Sequence, residues 1–417
     1  MLALKTVLNY VEKHKSFVYK DITLNDSGFE PMIEVTVKPR KNSKALCSEC
    51  ERPASGYDML PARRFQYVPL WNIAVVLIYA MRRVNCPDCG VKVEKVPWAH
   101  GKSPLTRSLS WFLCAWARRL SWDEVACIFG TSWNRVYSAV KWAVAYGLEH
   151  RDLSGITAVG IDEIAYKKGH KYLTLVYQID HGIRRLLWVG KDRTEQTIES
   201  FFNWFGKERS DLLRYLCTDM WEPYLKVISK RAKAAINILD RFHIMSNMNK
   251  KLDEVRRWEA KVLRNKGIEI LKGSRWCFLK RPAKLTVKQC EKLKDLLGMN
   301  LRTVKAYLMK EDFQRFWDYT YPANARKFLD QWCKRAMYSR IEPMKDMARS
   351  LRSHEDLLLN WFKAKKLYSS GVVEGLNGKI KTTTKKSYGF RTYNVLEVQL
   401  YHTLGQLPLP KITHKFC

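Results

Sequence analysis

The sequence predicts a multidomain α/β protein, in which a cysteine-containing β domain and a helical segment precede a mixed sheet that a long helical segment interrupts. Three observations lead to this fold class. Two C-x2-C pairs flank the β-rich run FQYVPLWNIAVVLIYAMRRV, a Trp-rich helical pattern begins at Thr106, and a run of strands begins at Ile156. Three consecutive strands followed by alternating helices and strands, as found after Ile156, are typical of a mixed sheet with helices packed on it.

The charge of the chain limits its partners. Among 417 residues, 74 Lys and Arg stand against 41 Asp and Glu, which gives a formal net charge of +33. With 46% hydrophobic residues the chain has enough apolar material for packed cores, so a wholly disordered basic tail is excluded. The positive excess predicts a polyanionic partner: nucleic acid is the usual one, and an anionic membrane surface is the alternative.

The sequence predicts a cytoplasmic protein. Its longest apolar run, Ile73 to Met81, is too short to cross a bilayer, which takes roughly 20 residues. The N-terminus MLALKTVLNYVEKHK lacks the apolar core and small-residue cleavage site of a signal peptide. The 11 cysteines are an odd number, mostly isolated in apolar settings, which favours reduced thiols over a disulfide framework.

Two cysteine pairs predict a structural zinc site. Cys47 and Cys50 form the first pair and Cys86 and Cys89 the second, with 35 residues between the pairs. Zinc binds four thiolates at tetrahedral corners, and a C-x2-C turn directs two sulfurs at one centre. Four protein ligands leave no position for a substrate, so we expect Zn2+ in a structural role within a zinc ribbon. Two unrelated pairs of buried cysteines, or redox C-x-x-C motifs, are the alternatives.

The segment after this ribbon predicts a helix-turn-helix. Ser121 and Glu124 form a capping box that begins the short helix WDEVACIF, and a turn at Gly130 leads to the second helix, WNRVYSAVKWAVAY. Trp133 and three valines of this second helix would pack inward. Four polar residues of the same helix would face a DNA groove: Asn134, Arg135, Ser138 and Lys141. An ordinary helical hairpin is the alternative.

Two carboxylates follow apolar strands and a third lies on a helix. Asp162 ends the strand ITAVGI, Asp219 ends LLRYLCT, and Glu374 lies on the helix of SSGVVEGLNGKIK. Three acids brought together could bind a pair of Mg2+ ions about 4 Å apart, an arrangement that serves phosphodiester chemistry. A single Asp at a strand end is more often a turn or cap residue, so the acids alone do not establish such a site.

Four segments carry a family resemblance: GIDEIAYKKGHKYLTLVYQID, CTDMWEPY, LDRFHI and GVVEGLNGKIKTTTKKSYGFR. Together with the zinc ribbon and helix-turn-helix in front of them, they resemble the DDE transposases with an RNase H-like core, and most closely the bacterial insertion-sequence family ISL3. The resemblance covers nearly the whole chain. It implies that Asp162, Asp219 and Glu374 are the catalytic ligands of Mg2+ or Mn2+.

The resemblance also implies further site residues. The segment from Asp240 to His243 is similar to a D-x2-H signature in which the histidine lies near the active site, so His243 is a candidate catalytic residue. A surface or core histidine is the alternative. Three residues beyond Glu374 on its helix are candidate DNA contacts, although the lysines among them could equally be solvated: Asn377, Lys381 and Lys385.

One choice between neighbouring acids remains. Glu163 directly follows Asp162, and neighbouring side chains of a strand face opposite sides, so only one of them can face the metals. We select Asp162 because the resemblance aligns it. Asp180 and Asp192 are expected to follow turns rather than buried strand ends, and are not selected.

The spacing of the acids predicts an insertion. Between Asp219 and Glu374 lie 154 residues, against 56 between Asp162 and Asp219. An inserted helical domain accounts for the longer interval. The predicted domains are therefore an N-terminal segment (1–40), the zinc ribbon (41–104), the helix-turn-helix (105–150), the first part of the RNase H-like core (151–243), the helical insertion (244–360) and the second part of the core (361–417).

The resemblance implies a DNA transposase that acts on double-stranded DNA. It would bind the terminal inverted repeats of its element, hydrolyse a phosphodiester to free a 3′-OH, and use that 3′-OH to attack target DNA. A homodimer or larger assembly, located in the bacterial cytoplasm at the nucleoid, would handle two DNA ends together. The alternatives are a DNA-binding regulator with a non-catalytic RNase H-like domain and a nuclease that cuts branched DNA without joining it.

Overall fold

The computed structural model describes residues 4–28, 30–167, 169, 171–366, 371–387, 389–390 and 392–409. Contacts divide the chain into two compact units. The first unit comprises Met1–Asp152 and Thr382–Cys417, and the second comprises Leu153–Lys381.

In chain order, the strands of the described residues are β1 (Phe17–Asn25), β2 (Met32–Pro39), β3 (Ala45–Leu46), β4 (Pro53–Leu70), β5 (Ile73–Cys86), β6 (Gly90–Val93), β7 (Ala158–Lys167), β8 (Lys171–Gln178), β9 (Arg185–Lys191), β10 (Tyr215–Thr218) and β11 (Ile236–Leu239). The α-helices are α1 (Leu4–Val11), α2 (Arg107–Ala117), α3 (Trp122–Ile128), α4 (Trp133–His150), α5 (Glu195–Phe205), α6 (Lys207–Asp211), α7 (Glu222–Arg231), α8 (Arg241–Arg264), α9 (Arg275–Leu279), α10 (Val287–Leu297), α11 (Arg302–Gln314), α12 (Pro322–Met337), α13 (Glu342–Ser353), α14 (Glu355–Lys363), α15 (Gly371–Lys386) and α16 (Tyr393–Leu404).

The strands of the first unit form one sheet. Its order is β1-β2-β5-β4-β3, with β6 paired to β5. β4 and β5 form a long antiparallel hairpin, whereas β2 pairs with β5 in parallel. β2 shares this sheet with the strands of the cysteine-containing region. Alternate residues of β5 are buried, as expected for a strand with one face on a core: Val75, Leu77, Tyr79 and Met81.

Trp98 occupies the centre of that core. Its side chain is fully buried, and its ring packs edge-on against the rings of Phe17, Phe65 and Tyr79. Edge-to-face aromatic pairs contribute about 0.5–1.5 kcal/mol each beyond the area that they bury. The aromatic cluster therefore joins β1, β4 and β5 to the segment that follows β6.

Helices α2, α3, α4 and α16 complete the first unit. The predicted capping box is present at α3: the Ser121 hydroxyl accepts a hydrogen bond from the Glu124 N–H, and the Glu124 carboxylate accepts one from the Ser121 N–H at 2.7 Å. Gly130 has a φ of +55°, a conformation that glycine adopts without strain, and it turns the chain from α3 into α4.

The second unit contains a five-stranded mixed sheet in its described residues, in the order β11-β10-β7-β8-β9. β7, β8 and β9 pair antiparallel, and β10 pairs in parallel with both β7 and β11. The carboxyl ends of β7, β9, β10 and β11 consequently lie at one edge of the sheet. Phe201, Phe202 and Phe205 of α5 are buried in a core that includes Val159 and Ile161 of β7.

Helices α8 to α14 fill the segment between β11 and α15, as the helical pattern predicts. Their core contains Phe313, whose ring packs against the rings of Phe316 and Trp332. In the described part of the chain, no helix combines the length and the apolar character that crossing a membrane requires.

Candidate active site and metal centre

Three aspartates lie level with one another at the carboxyl edge of the second unit's sheet. The pairing of β10 with β7 and with β11 is parallel, and it continues to within one or two residues of Asp219. Extended to that residue, the register places Asp219 opposite Asp162 on one side and opposite Asp240 on the other. Neighbouring strands lie about 4.8 Å apart, so the structure brings these acids together.

Hydrogen bonds hold the Asp162 carboxylate. Its Oδ2 accepts a hydrogen bond from the side-chain amide of Asn377, and its Oδ1 accepts one from the backbone N–H of Glu163 at 2.7 Å. The oxygen of the same Asn377 amide accepts a hydrogen bond from the Tyr177 hydroxyl at 2.7 Å. Both oxygens of Asp162 therefore have a donor from the protein, which fixes the orientation of the carboxylate.

His243 lies in the first turn of α8, the helix that begins directly after Asp240. Asp240 caps this helix by accepting a hydrogen bond from the Phe242 N–H at 2.6 Å. The Nε2 atom of His243 lies 3.6 Å from Oδ1 of Asp162 and 3.6 Å from Oδ2 of Asp240. Contact with Asp162, together with the charge of Asp240, raises the pKa of His243 to about 9. The imidazole is therefore mostly protonated at neutral pH, as a cation between two carboxylates.

Asp219 is a largely buried carboxylate with like charge nearby. Burial and the charge of Asp162 raise its pKa, whereas the N–H of Trp221, which donates to Oδ1 at 3.0 Å, lowers it. Carboxylate oxygens are the ligands that Mg2+ prefers, and a divalent cation relieves the repulsion between neighbouring acids. The donors at this edge therefore fit a divalent metal ion.

Glu163 contacts different groups from its neighbour Asp162. Its Oε2 lies 3.1 Å from Nη1 of Arg193. Burial and the charge of Asp219 raise the pKa of Glu163 to about 7. The Arg193 guanidinium lies over the ring of Trp221, 4.1 Å from its centroid. The ion pair and the aromatic ring together hold a cation beside the carboxylates.

Arg193 is not among the residues predicted from the sequence, and the prediction that Asp192 follows a turn is wrong. Both residues directly follow β9, which ends at Lys191. Because β9 runs in the same direction as β7, its carboxyl end reaches the edge where Asp162 lies. The expectation that Asp162 ends its strand is also wrong, because β7 continues to Lys167. Asp219 does follow a buried strand, and the same pattern is present at Arg193.

Two contacts fix α15 on β7. A Cβ atom at Gly160 would lie 2.6 Å from Cγ2 of Val373, so the close approach of the helix requires a glycine here. One turn further along the helix, Asn377 contacts Asp162. Glu374 lies between these two anchor residues in α15, although its side chain lies outside the described residues. The helix thus brings the backbone of residue 374 beside the strand that carries Asp162.

The predicted DNA contacts on α15 differ in their exposure. Asn377 is 8% exposed, and both the oxygen and the nitrogen of its amide have a partner in the protein. Lys381 and Lys385 are exposed. Solvent therefore reaches the two lysines, whereas the amide is engaged inside the protein.

The four predicted cysteines form a cluster in the first unit. The sulfur atoms of Cys47, Cys50, Cys86 and Cys89 all lie within 4.8 Å of one another. Tetrahedral zinc with a Zn–S distance of about 2.3 Å requires sulfurs about 3.8 Å apart, so this spacing fits the metal. Backbone N–H groups of Cys50 and Glu49 lower the pKa of Cys47 to about 7, whereas burial and the neighbouring thiols raise the pKa of Cys89 to about 12. The cluster could hold a zinc ion.

Local structure explains how the cysteines meet. Cys47 directly follows β3, and Cys86 ends β5. Gly90, with a φ of +72°, begins β6 and turns the second pair back toward the first. The β-rich run between the pairs is the β4–β5 hairpin, which returns the chain to the sulfurs of the first pair.

The polar residues predicted to contact a DNA groove lie on α4. Asn134, Ser138 and Lys141 are exposed and follow helical spacing. Arg135 is half-buried, and its guanidinium donates to the side-chain oxygen of Gln66 in β4 at 3.3 Å. Arg135 is thus tied to the sheet, whereas the other three residues face solvent.

The apolar face of α4 is predicted to pack inward, and one of its four residues does not. Val136, Val140 and Val144 are buried, as predicted. Trp133 is 37% exposed, because its ring stacks on that of Tyr137 along the helix rather than entering the core.

Comparison with known proteins places this chain in a family. Residues 159–400, more than half of the chain, match a family described as transposase, the DDE family of the insertion sequence ISL3. The transposase for insertion sequence element IS1001 of Bordetella parapertussis is 27% identical over 350 residues, which cover 83% of this chain and 85% of the relative. The transposase for insertion sequence element IS1557 of Mycobacterium tuberculosis is 27% identical over 422 residues, which cover 92% of this chain and 91% of the relative.

These similarities do not favour the non-catalytic regulator. The family match includes Asp162, Asp219, His243 and α15, and the similarity to the relatives extends over most of the chain. This chain therefore belongs to the ISL3 family of transposases, and it is a DNA transposase.

Proposed function

We propose that the protein is the DDE transposase of an insertion sequence: it binds the terminal inverted repeats, cuts DNA at the ends of the element and joins the freed 3′-OH to target DNA. One observation supports this most directly. Asp162 and Asp219 lie opposite each other on adjacent parallel strands, beside the helix that carries Glu374. The relatives are named as transposases for insertion sequence elements, which supports the same activity.

The catalytic domain would be an RNase H-like core. The strand order β11-β10-β7-β8-β9, built from three antiparallel strands followed by two parallel ones, supports this fold. Helices α8 to α14 would be the insertion between its two parts. Such an arrangement accounts for the long interval between the second and third acids.

Asp162, Asp219 and Glu374 would hold Mg2+ or Mn2+ at the carboxyl edge of the sheet. When bound, a pair of such ions activates the attacking oxygen and stabilises the leaving oxygen. The contribution of the chain is orientation, since the N–H of Trp221 fixes Asp219 and the amide of Asn377 fixes Asp162.

His243 would contact a phosphate oxygen of the strand that is cut. Its Nε2 lies 3.6 Å from each neighbouring carboxylate, which is longer than a hydrogen bond, so its N–H is available to the substrate. A cation in this position would attract the phosphodiester toward an edge that is otherwise lined with acids.

The first unit would bind the DNA ends. The four-cysteine cluster would hold structural Zn2+ in a ribbon, and α3 with α4 would form a helix-turn-helix that presents Asn134, Ser138 and Lys141 to the DNA. On α15, Lys381 and Lys385 would contact phosphates near the cut. Because two ends must be handled together, we expect a homodimer or larger assembly, acting on DNA in the bacterial cytoplasm at the nucleoid.

A supercoiled plasmid that carries the ends of the element tests the assignment. With Mg2+, the purified chain should cut at the ends and join them to a second plasmid, and EDTA should stop both steps. Joining separates a transposase from a nuclease that cuts branched DNA. Asp219→Asn should slow cutting about a thousandfold, equivalent to several kcal/mol of lost transition-state stabilisation.

The matched control is Asp211→Asn, which changes an exposed acid on α6. It should cut as the wild type does, and both zinc-loaded variants should bind the ends equally when no Mg2+ or Mn2+ is added. Cutting by Asp219→Asn at the wild-type rate would contradict the proposal.

A further inference from the structure

Asn377 connects the helix that carries Glu374 with the strand that carries Asp162. We propose that Asn377, held by Tyr177, is a positioning residue that orients the Asp162 carboxylate for metal binding, and that it does not contact DNA. This inference rests on the proposed function, because the orientation of Asp162 matters to the reaction only if Asp162 binds the metal.

The direction of the amide follows from its partners. Tyr177 lies on β8, directly opposite Gly160 of β7, and its side chain is fully buried. Its hydroxyl donates to Oδ1 of Asn377 at 2.7 Å. An amide oxygen can only accept and an amide nitrogen can only donate, so the oxygen turns to Tyr177 and the nitrogen turns to Asp162. The ionised Asp162 carboxylate can only accept, so a flipped amide would place two acceptor oxygens against each other.

Tyr177 remains a donor at neutral pH. Burial, and then the charge of Asp162, raises the pKa of its phenol well above the ordinary value. The hydroxyl therefore keeps its proton and continues to donate to Asn377. Asp162 thus determines the direction of the amide carried by α15, and the buried Tyr177 hydroxyl provides the donor for its oxygen.

A direct contact between Asn377 and DNA fits this geometry poorly. The residue is 8% exposed, and a move toward a DNA phosphate would break its bonds to Tyr177 and Asp162. Asn377 also lies one turn after Glu374 in α15, so its bond to Asp162 fixes the helix that carries the third acid. Removing a group that holds a metal ligand typically lowers metal affinity or activity roughly 10–100-fold.

The test measures Mn2+ binding by zinc-loaded full-length protein, with free Mn2+ followed by electron paramagnetic resonance and no DNA present. Asn377→Leu keeps the shape of the side chain and removes both hydrogen bonds, so it should weaken Mn2+ binding roughly 10–100-fold. Tyr177→Phe should weaken binding less, in the same direction. Cleavage by both variants should show a lower kcat with an unchanged KM for the DNA ends.

The matched control is Tyr19→Phe, which removes a buried hydroxyl that donates to the Glu12 carbonyl at 2.8 Å in the first unit. It should leave Mn2+ binding unchanged. Thermal melting of the zinc-loaded protein without Mn2+ or Mg2+ should show that each variant is folded, and under the same conditions all variants should bind the DNA ends as the wild type does. If Asn377→Leu does not fold, Tyr177→Phe decides the question alone.

Three results would overturn the inference. Asn377→Leu and Tyr177→Phe could bind Mn2+ as tightly as the wild type while Asp162→Asn binds it weakly, in which case only the positioning role fails. Zinc-loaded Asn377→Leu could instead lose affinity for the DNA ends without Mn2+ or Mg2+ while its Mn2+ binding is unchanged, which would make Asn377 a DNA contact. If Asp162→Asn itself leaves Mn2+ binding unchanged, the metal site of the proposed function fails, and the positioning role fails with it.

Discussion

Asp162 and Glu163 are adjacent on β7, yet their carboxylates contact different groups. Asp162 faces Asn377 and His243, whereas Glu163 pairs with Arg193. The divergence follows from the geometry of a strand, in which successive side chains point to opposite faces. Two neighbouring acids at one sheet edge therefore have separable roles.

Glu163→Gln should keep most of the cleavage activity. Because burial and Asp219 raise the pKa of Glu163 to about 7, a large share of the molecules already carry it uncharged at neutral pH, and glutamine has the shape of that form. We expect single-turnover cleavage of a labelled end to change less than about tenfold, or about 1.4 kcal/mol. Asp162→Asn should slow the same reaction about a thousandfold. Equal losses in the two variants would contradict the assignment of Asp162 as the metal ligand.

Gly160→Ala should separate α15 from β7. The new Cβ would lie 2.6 Å from Cγ2 of Val373, so the variant should lose about 1–3 kcal/mol of unfolding free energy in urea titrations. Gly160→Ala combined with Val373→Ala should lose less than the sum of the two single changes, because removing the valine methyls relieves the clash. Gly56→Ala is the control, since a Cβ there would meet no described atom within 4 Å. Additive losses in the double variant would argue against the contact.

Cys86→Ser should remove the zinc ion. With three thiolates left, the cluster loses a ligand of a site whose apparent contribution to folding is on the order of 10 kcal/mol. Metal analysis should find about one zinc per chain in the wild type and almost none in the variant, whose first unit should melt at a lower temperature. The control is Cys127→Ser, an exposed cysteine on α3. Zinc that stays bound to Cys86→Ser at full stoichiometry would rule out the four-cysteine site.

The stability of the first unit should fall in mild acid. His402 of α16 is buried, with Nε2 3.2 Å from the sulfur of Cys114, and burial lowers its pKa to about 3. A histidine in the unfolded chain titrates near pH 6.5. The neutral His402 contributes its full share of the unfolding free energy above pH 6.5. This share is lost as the pH falls toward 3, because in that interval only the unfolded chain binds the proton.

Urea unfolding should therefore show about 2 kcal/mol less stability at pH 5 than at pH 7 from this residue alone. His402→Gln should reduce that difference, whereas His150→Gln, which changes an exposed histidine on α4, should leave it as it is. A pH dependence that is the same with and without His402 would show that another group causes it.

Features whose partners lie close together in the sequence could be predicted from it. The spacing within each cysteine pair indicates a shared centre, and the cluster of four sulfurs is present. The capping box of Ser121 and Glu124 also involves neighbouring residues, and it forms as predicted. The local backbone determines the capping box and the turn within each cysteine pair, whereas the β4–β5 hairpin brings the two pairs together.

Contacts between distant segments could not be predicted in the same way. Helical spacing puts Asn377 on one face of α15, but it does not say that this face meets Asp162 and Tyr177. The alternation in β2 likewise indicates a buried face without indicating that β5 is its neighbour. Packing of the complete chain selects such partners, and periodicity carries no information about them.

The hydrogen bond between Asp162 and Asn377 joins residues that are 215 positions apart. At 5–20 residues per second, a ribosome needs about 10 to 40 seconds to make the polypeptide between them. A nascent chain that ends within this interval contains Asp162 but not its amide partner. The Asp162 carboxylate therefore acquires this partner only when the polypeptide is nearly finished, so the order of synthesis itself delays completion of this part of the sheet.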